Sequence, residues 1–231
     1  MNYKNKILIA KPLVKDPIFG GSVVLITKHT EEGAVGFILN GPNIGKVAFG
    51  AIPTPEETPQ DVQDVVDAVE SGEIKAVEMQ YGGPIGGPQS LFMIHGYSQF
   101  DGAEEELPFD IIEEEEEDAY EIGGIDEPEG KKRNAFGQDE DDDSEIMPGV
   151  YFGSPNTLVR IFSAKLGDNK FRFLTGQSAW APGQLESEIS AGAWEIVDAT
   201  PEMVFDPDEL AKLAPQQKKK QKSDWFDILS N

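Results

Sequence analysis

The stretch Phe171–Trp194, FRFLTGQSAWAPGQLESEISAGAW, constrains the fold more than any other part of the chain. Phe171–Leu174 reads as an apolar strand. A turn rich in Gly, Ser, Trp and Pro follows, and Pro182–Ser190 reads as a short amphipathic helix. Leu185 and Ile189, one turn apart, face the core. Trp180, Gln184 and Glu186 are costly choices for a mere connection, which makes them candidates for a site.

Other segments supply the strands that such a unit needs. Ile7–Ala10 is a short apolar run ended by Lys11-Pro12. Ser22–Thr27, SVVLIT, is continuous and β-branched, which suits a buried strand. Ala34–Leu39 forms a hairpin with it, and Asn40-Gly41-Pro42 stops that strand. Gly45–Pro59 reads as loop. Thr58-Pro59 then opens a helix, with Val62, Val65, Val66 and Val69 along one stripe and Ser71-Gly72 at its end. Lys75–Tyr81, Leu91–Ile94 and Val150–Phe152 are strands. Ser154-Pro155 starts a helix ended by Gly167. Ala193–Val197 is a strand, and Thr200–Phe205 carries no decisive pattern. Asp206-Pro207 caps a helix to Leu213. Gln216–Lys222 is a basic linker, and Asp224–Leu229 an apolar terminal segment that either docks on its own domain or meets a partner.

Composition matters at one place. Asp101–Met147 carries 21 acidic and 3 basic residues, −18 of the total −24. Such a segment buries too little surface to offset its ordering entropy and reads as a disordered insert. The expected organisation is one domain from residues 1–100 and 147–214. It is interrupted by the acidic insert at 101–146 and followed by a linker and short segment at 215–231. Acidity opposes direct nucleic-acid binding, because that affinity comes from cations releasing counterions. It favours a basic partner. Without cysteine there is no disulfide, zinc–thiolate site or thiol nucleophile. The four-residue apolar run near the N-terminus is too short for a signal peptide, and no run approaches the roughly 20 apolar residues of a membrane span. A cytoplasmic protein without cofactor or metal is expected.

Four blocks carry a resemblance: Asp16–Asn40, Tyr81–Gly96, Gly149–Leu158 and Gly176–Trp194, the last containing WAPGQLESEI. Together they resemble the AlgH/YqgE family of bacterial proteins, over residues 5–100 and 147–206. The resemblance implies a single α+β domain with a barrel-like curled β-sheet and short flanking helices. Members are often labelled transcriptional regulators, which describes an effect on expression. This chain has no helix-turn-helix and the wrong charge for DNA. It departs from the family at Gly41, where an Arg is usual, at Ala179, where a Gly is usual, and in the length of its insert. The missing Arg removes the most obvious anion contact.

His29 and His95 are the only histidines and the first candidates for acid–base chemistry, or else they fix turns. Gly176–Trp180 resembles a nucleophile elbow around Ser178, but Trp180 stands where a Gly is needed. Glu186 suits the first turn of a helix, and Gln184 and Glu188 sit one turn apart beside Trp180. Gly82–Pro88 lacks the ending of a phosphate loop and reads as a strand exit. The expected function is therefore a non-enzymatic module binding a protein or small molecule. His29, Asn40, His95, Trp180 and Gln184 would converge at its site, with Glu186 beside them. The alternative is a hydrolase using Ser178 or a His/Glu pair.

Overall fold

The computed structural model describes residues 2–49, 75–87, 90–97, 143–153, 157 and 170–214. The expected helices after Thr58 and Ser154, the acidic insert up to residue 142, and the linker and terminal segment lie outside them, apart from helical Thr157.

Eleven strands and three short helices are described. The strands are β1 Lys6–Ala10, β2 Val23–Thr30, β3 Gly33–Ile38, β4 Asn43–Phe49, β5 Lys75–Tyr81 and β6 Leu91–His95. They continue with β7 Ser144–Met147, β8 Val150–Phe152, β9 Phe171–Thr175, β10 Ser178–Trp180 and β11 Trp194–Asp198. The helices are α1 Gln184–Ser190, α2 Pro201–Phe205 and α3 Pro207–Leu213. The described fold is thus mostly β.

The strands form two open sheets, ordered β10-β3-β2-β1-β11 and β4-β5-β9-β6-β8-β7. This corrects the expectation of one barrel-like curled sheet. The chain leaves the first sheet after β3, at Leu39–Pro42, and builds the whole second sheet. It returns through Gly176-Gln177 into β10. Neither sheet's two edges pair with each other, so neither closes. The β5–β9 pair is parallel, and all other pairs are antiparallel.

The unbroken apolar run of β2 has a direct cause. Both faces of the first sheet are covered. Val23 and Leu25 point into one cluster with Phe37, Phe92, Ile94 and Leu174, while Val24 and Ile26 point into another with Trp180, Leu185 and Trp194. A strand buried on both faces cannot alternate apolar with polar residues. The first cluster joins the two sheets and also takes Val204 of α2 and Leu210 of α3. The second lies beneath α1 and the loop that carries Phe19.

Three segments differ from expectation. Asn43–Phe49 is an edge strand paired to β5, with a register shift between Asn43 and Gly45. Glycine weakens a strand but suits such an irregularity, and the available partner edge decides the outcome. Ser178–Trp180, read as turn, pairs with β3. Ser144–Met147, read as the end of the insert, pairs with β8 and buries Ile146 and Met147. Thr200–Phe205 resolves into α2, whose first turn is capped by Thr200 Oγ1 accepting from Met203 N–H.

Candidate functional site

Helix α1 gathers most of the singled-out residues. Gly183, at φ 73°, turns the chain from β10 into α1. Residues of this type enter the left-handed region without a Cβ penalty. Leu185 is fully buried beneath the helix, which fixes its rotation. Gln184 and Glu188 then share one side, a turn apart.

Glu188 is the hub. Its Oε2 accepts from Trp180 Nε1–H at 3.0 Å and from Trp194 Nε1–H at 2.8 Å, and its Oε1 accepts from Gln184 Nε2–H at 2.9 Å. Gln184 Oε1 in turn accepts from Ala181 N–H at 3.0 Å, closing the turn before the helix. A buried indole N–H needs an acceptor, and a carboxylate is a strong one. Trp180 and Trp194 are 5% and 4% exposed, so neither is open to a ligand. Phe19 packs edge-on to Trp194 and near Trp180, covering the pair.

Glu186, on another side of α1, reaches β2. Its Oε1 lies 2.8 Å from His29 Nε2. His29 Nδ1 accepts from Tyr3 N–H at 3.1 Å, so the ring proton sits on Nε2 and is donated to Glu186. The Tyr3 ring packs against the imidazole. The carboxyl of Glu186 is held below the usual range, first by its own backbone N–H and then, against partial desolvation, by His29. The His29 side chain is 6% exposed and that of Glu186 is 42%, so the pair meets solvent at its acidic end.

Asn40 and His95 hold other partners. Asn40 Oδ1 accepts from Val23 N–H at 2.8 Å, and Nδ2 donates to Gly21 O at 2.8 Å. His95, at the end of β6, is 1% exposed and stacks with Tyr97 and Tyr151. Its Nδ1 accepts from Tyr97 N–H at 3.3 Å. Its Nε2 stands 3.1 Å from Asp143 Oδ2, off the line of a good hydrogen bond. The five-residue convergence expected from strand ends thus reduces to Trp180 and Gln184 around Glu188, with His29 and Glu186 on another side of the same helix.

Ser178 is fully buried in β10, where its Oγ faces Gly82 O at 3.5 Å. Both ring nitrogens of His29 are hydrogen-bonded; in His95 Nδ1 is bonded, and the buried Nε2 faces Asp143 without a hydrogen bond. Among the described residues no group of three His, Asp or Glu side chains could hold a metal, and no helix is long and apolar enough to cross a membrane.

Sequence reasoning missed Arg172. Its Nε donates to Val204 O, and its Nη1 donates to Leu39 O at 2.9 Å and to Gln80 Oε1 at 2.7 Å. Burial pushes its guanidinium down to about 10, which leaves it cationic at neutral pH. The available signal was a lone cation inside the apolar run FRFLT. Trp194, too, looked like strand core, and only the fold aims its N–H at Glu188.

The comparisons agree with this architecture. UPF0301 proteins from Paraburkholderia phytofirmans, Vibrio vulnificus and Chlamydia muridarum are 25%, 26% and 24% identical over 206, 209 and 230 residues. Those alignments cover 89%, 89% and 99% of this chain and 82%, 85% and 85% of the relatives. The solution structure of the AlgH protein from Pseudomonas aeruginosa matches with a TM-score of 0.50 at 20% identity, covering 94% of this chain and 96% of that one. A crystal structure of a Corynebacterium diphtheriae protein gives 0.50 at 19% identity, covering 100% and 93%. These two likenesses concern the fold alone. A family model described as AlgH-like matches residues 7–221, and on that match the chain belongs to the AlgH-like family.

Proposed function

We propose that this chain is a cytoplasmic, non-catalytic binding module for a basic protein partner. The observation that carries the proposal is that the candidate nucleophile Ser178 is buried, with its hydroxyl facing a carbonyl rather than either histidine. A general base needs a ring nitrogen free to take a proton, with the other oriented by an acid. His29 has Nε2 on Glu186 and Nδ1 on Tyr3 N–H. His95 has Nδ1 on Tyr97 N–H, and its Nε2, although not hydrogen-bonded, is enclosed against Asp143 and faces no hydroxyl nucleophile among the described residues. Ser178 has no exposed surface and faces a carbonyl rather than a base. Among the described residues no base is placed to activate Ser178. The Glu188 hub holds the fold's tryptophans, while Glu186 presents charge outward.

Charge supports the partner class. The chain carries −24, of which −18 lies in Asp101–Met147. Such a distribution speeds encounter with a basic surface and makes it salt-sensitive. The experiment is an affinity pull-down from cell extract with the full chain and with residues 98–142 replaced by a short Gly/Ser linker. A basic partner retained at low salt and released at high salt is expected, with the shortened chain binding more weakly. A specific partner held equally by both chains, at any salt, would remove charge as the basis. Turnover of an ester or peptide substrate that is lost in Ser178→Ala would restore the hydrolase alternative.

A further inference from the structure

Asn40-Gly41 is the only Asn-Gly pair in the sequence, and the fold requires both residues. At position 40 the side chain must accept from Val23 N–H and donate to Gly21 O, each at 2.8 Å. A carboxamide does both, and this closes the entry to β2 against the exit from β3. At position 41 a Cβ would stand 2.0 Å from Tyr81 O and 3.0 Å from its carbonyl carbon. That backbone is itself fixed, because Tyr81 N–H donates to Pro42 O at 2.9 Å. In this chain's backbone only glycine fits there without moving Tyr81. Packing has therefore selected the dipeptide whose chemistry is weakest. Glycine has no side chain to hinder its own amide nitrogen, and asparagine is a thermolabile residue.

We infer that Asn40 is a modification site, an asparagine that deamidates when this junction opens and is protected while it is closed. In the reaction the Gly41 backbone nitrogen gives its proton to a solvent base and attacks Asn40 Cγ. A C–N bond forms, the bond to the side-chain amide nitrogen breaks, and that nitrogen takes a proton back from the solvent and leaves as ammonia. The resulting succinimide adds one water, and opening of either ring C–N bond gives aspartate or isoaspartate. No electrons are exchanged with any partner. In the closed junction Cγ is fixed from both sides, through Oδ1 and through Nδ2, so the carboxamide cannot turn toward Gly41 without breaking both bonds.

The product cannot restore the junction. An aspartate keeps an acceptor for Val23 N–H, but it turns an anionic oxygen toward Gly21 O where a donor stood. Two acceptors at that separation repel. Isoaspartate also lengthens the main chain beside the Tyr81 contact. A reversible local opening is thereby made irreversible.

The test follows the full-length wild-type chain at mildly alkaline pH, with and without guanidinium. The mass gain of the peptide containing Asn40 is measured over time. Deamidation at Asn40 in the unfolded chain, and at least about tenfold slower deamidation in the folded one, is the expected result. The Asn40→Asp protein, made directly, is expected to melt below wild type at neutral pH. Equal rates in the two states would overturn the protection. An unfolded chain that leaves Asn40 intact would overturn the site. An Asn40→Asp protein as stable as wild type would overturn the damage.

Discussion

Glu188 takes three side-chain N–H donors from Trp180, Trp194 and Gln184 on its two oxygens. Glu188→Gln puts an NH₂ where at least one donor now points. It is expected to destabilise the fold by about 1–3 kcal/mol, read as a lower denaturation midpoint with an altered tryptophan spectrum. Glu186 behaves differently because its carboxyl is partly exposed to solvent. Its folded carboxyl titrates below the ordinary value, so its contribution is present above the unfolded pKa and lost as pH falls through the folded one. Wild type should therefore melt above Glu186→Gln at neutral pH, and the gap should close in acid below the ordinary glutamate range. A gap that stays constant across that window would rule out the His29 pairing as its source. The spacing of Gln184, Glu186 and Glu188 after Trp180 was legible as a patch of interest. So was the side shared by Gln184 and Glu188 beside Trp180, with Leu185 toward the core; the meeting of Glu186 with His29 was not, because that partner lies far away in the chain.

At the scale of elements, the two sheets are joined at a pair of crossings. At one, Gly176 and Gly83 touch backbone to backbone, and a Cβ on Gly176 would stand 2.2 Å from Gly83 O. Gly176 also has φ 68°. Gly176→Ala meets both obstacles and is expected to cost well over about 1 kcal/mol, measured by chemical denaturation. At the other crossing Arg172 binds Leu39 O at the end of β3, Gln80 of β5 and Val204 O near the end of α2. Carbonyls in the last turn of a helix lack internal partners, and a cation there is favourable. Arg172→Met strands these acceptors and is expected to cost about 3 kcal/mol. The guanidinium stays charged below about 10, so this loss should not change across neutral pH. The strands β1, β2, β3, β5, β6, β8, β9 and β11 were legible from apolar runs and their breakers. β4, β7 and β10 were not: β7 and β10 have only 4 and 3 residues, β4 runs through Gly45 into a stretch rich in Gly and Pro, and each is decided by the neighbour it pairs with.

For the whole molecule, the acidic stretch leaves and rejoins the fold at one residue. His95 accepts from Tyr97 N–H on the departing side and faces Asp143 on the returning side. Loop closure grows only slowly costlier with length, so a shorter connection between the same points is tolerated. Replacing residues 98–142 with a short Gly/Ser linker is expected to leave a cooperative unfolding transition and an unchanged far-ultraviolet spectrum. Loss of the transition would mean that the segment is part of the core.

Sequence alone determined the family, the strand-rich character, the continuous burial of SVVLIT, a short helix after Pro182, the helix cap at Asp206-Pro207, and the concentration of charge in one segment. These follow from local patterns and composition, which act within a few residues. The tertiary structure decided that the strands divide into two open sheets. It also decided that two tryptophans share one carboxylate, that His29 is held between Tyr3 and Glu186, and that Arg172 helps to tie the sheets together. Those outcomes depend on which groups meet across large separations in the chain, and no periodicity records where an unpaired N–H or carbonyl finds its partner.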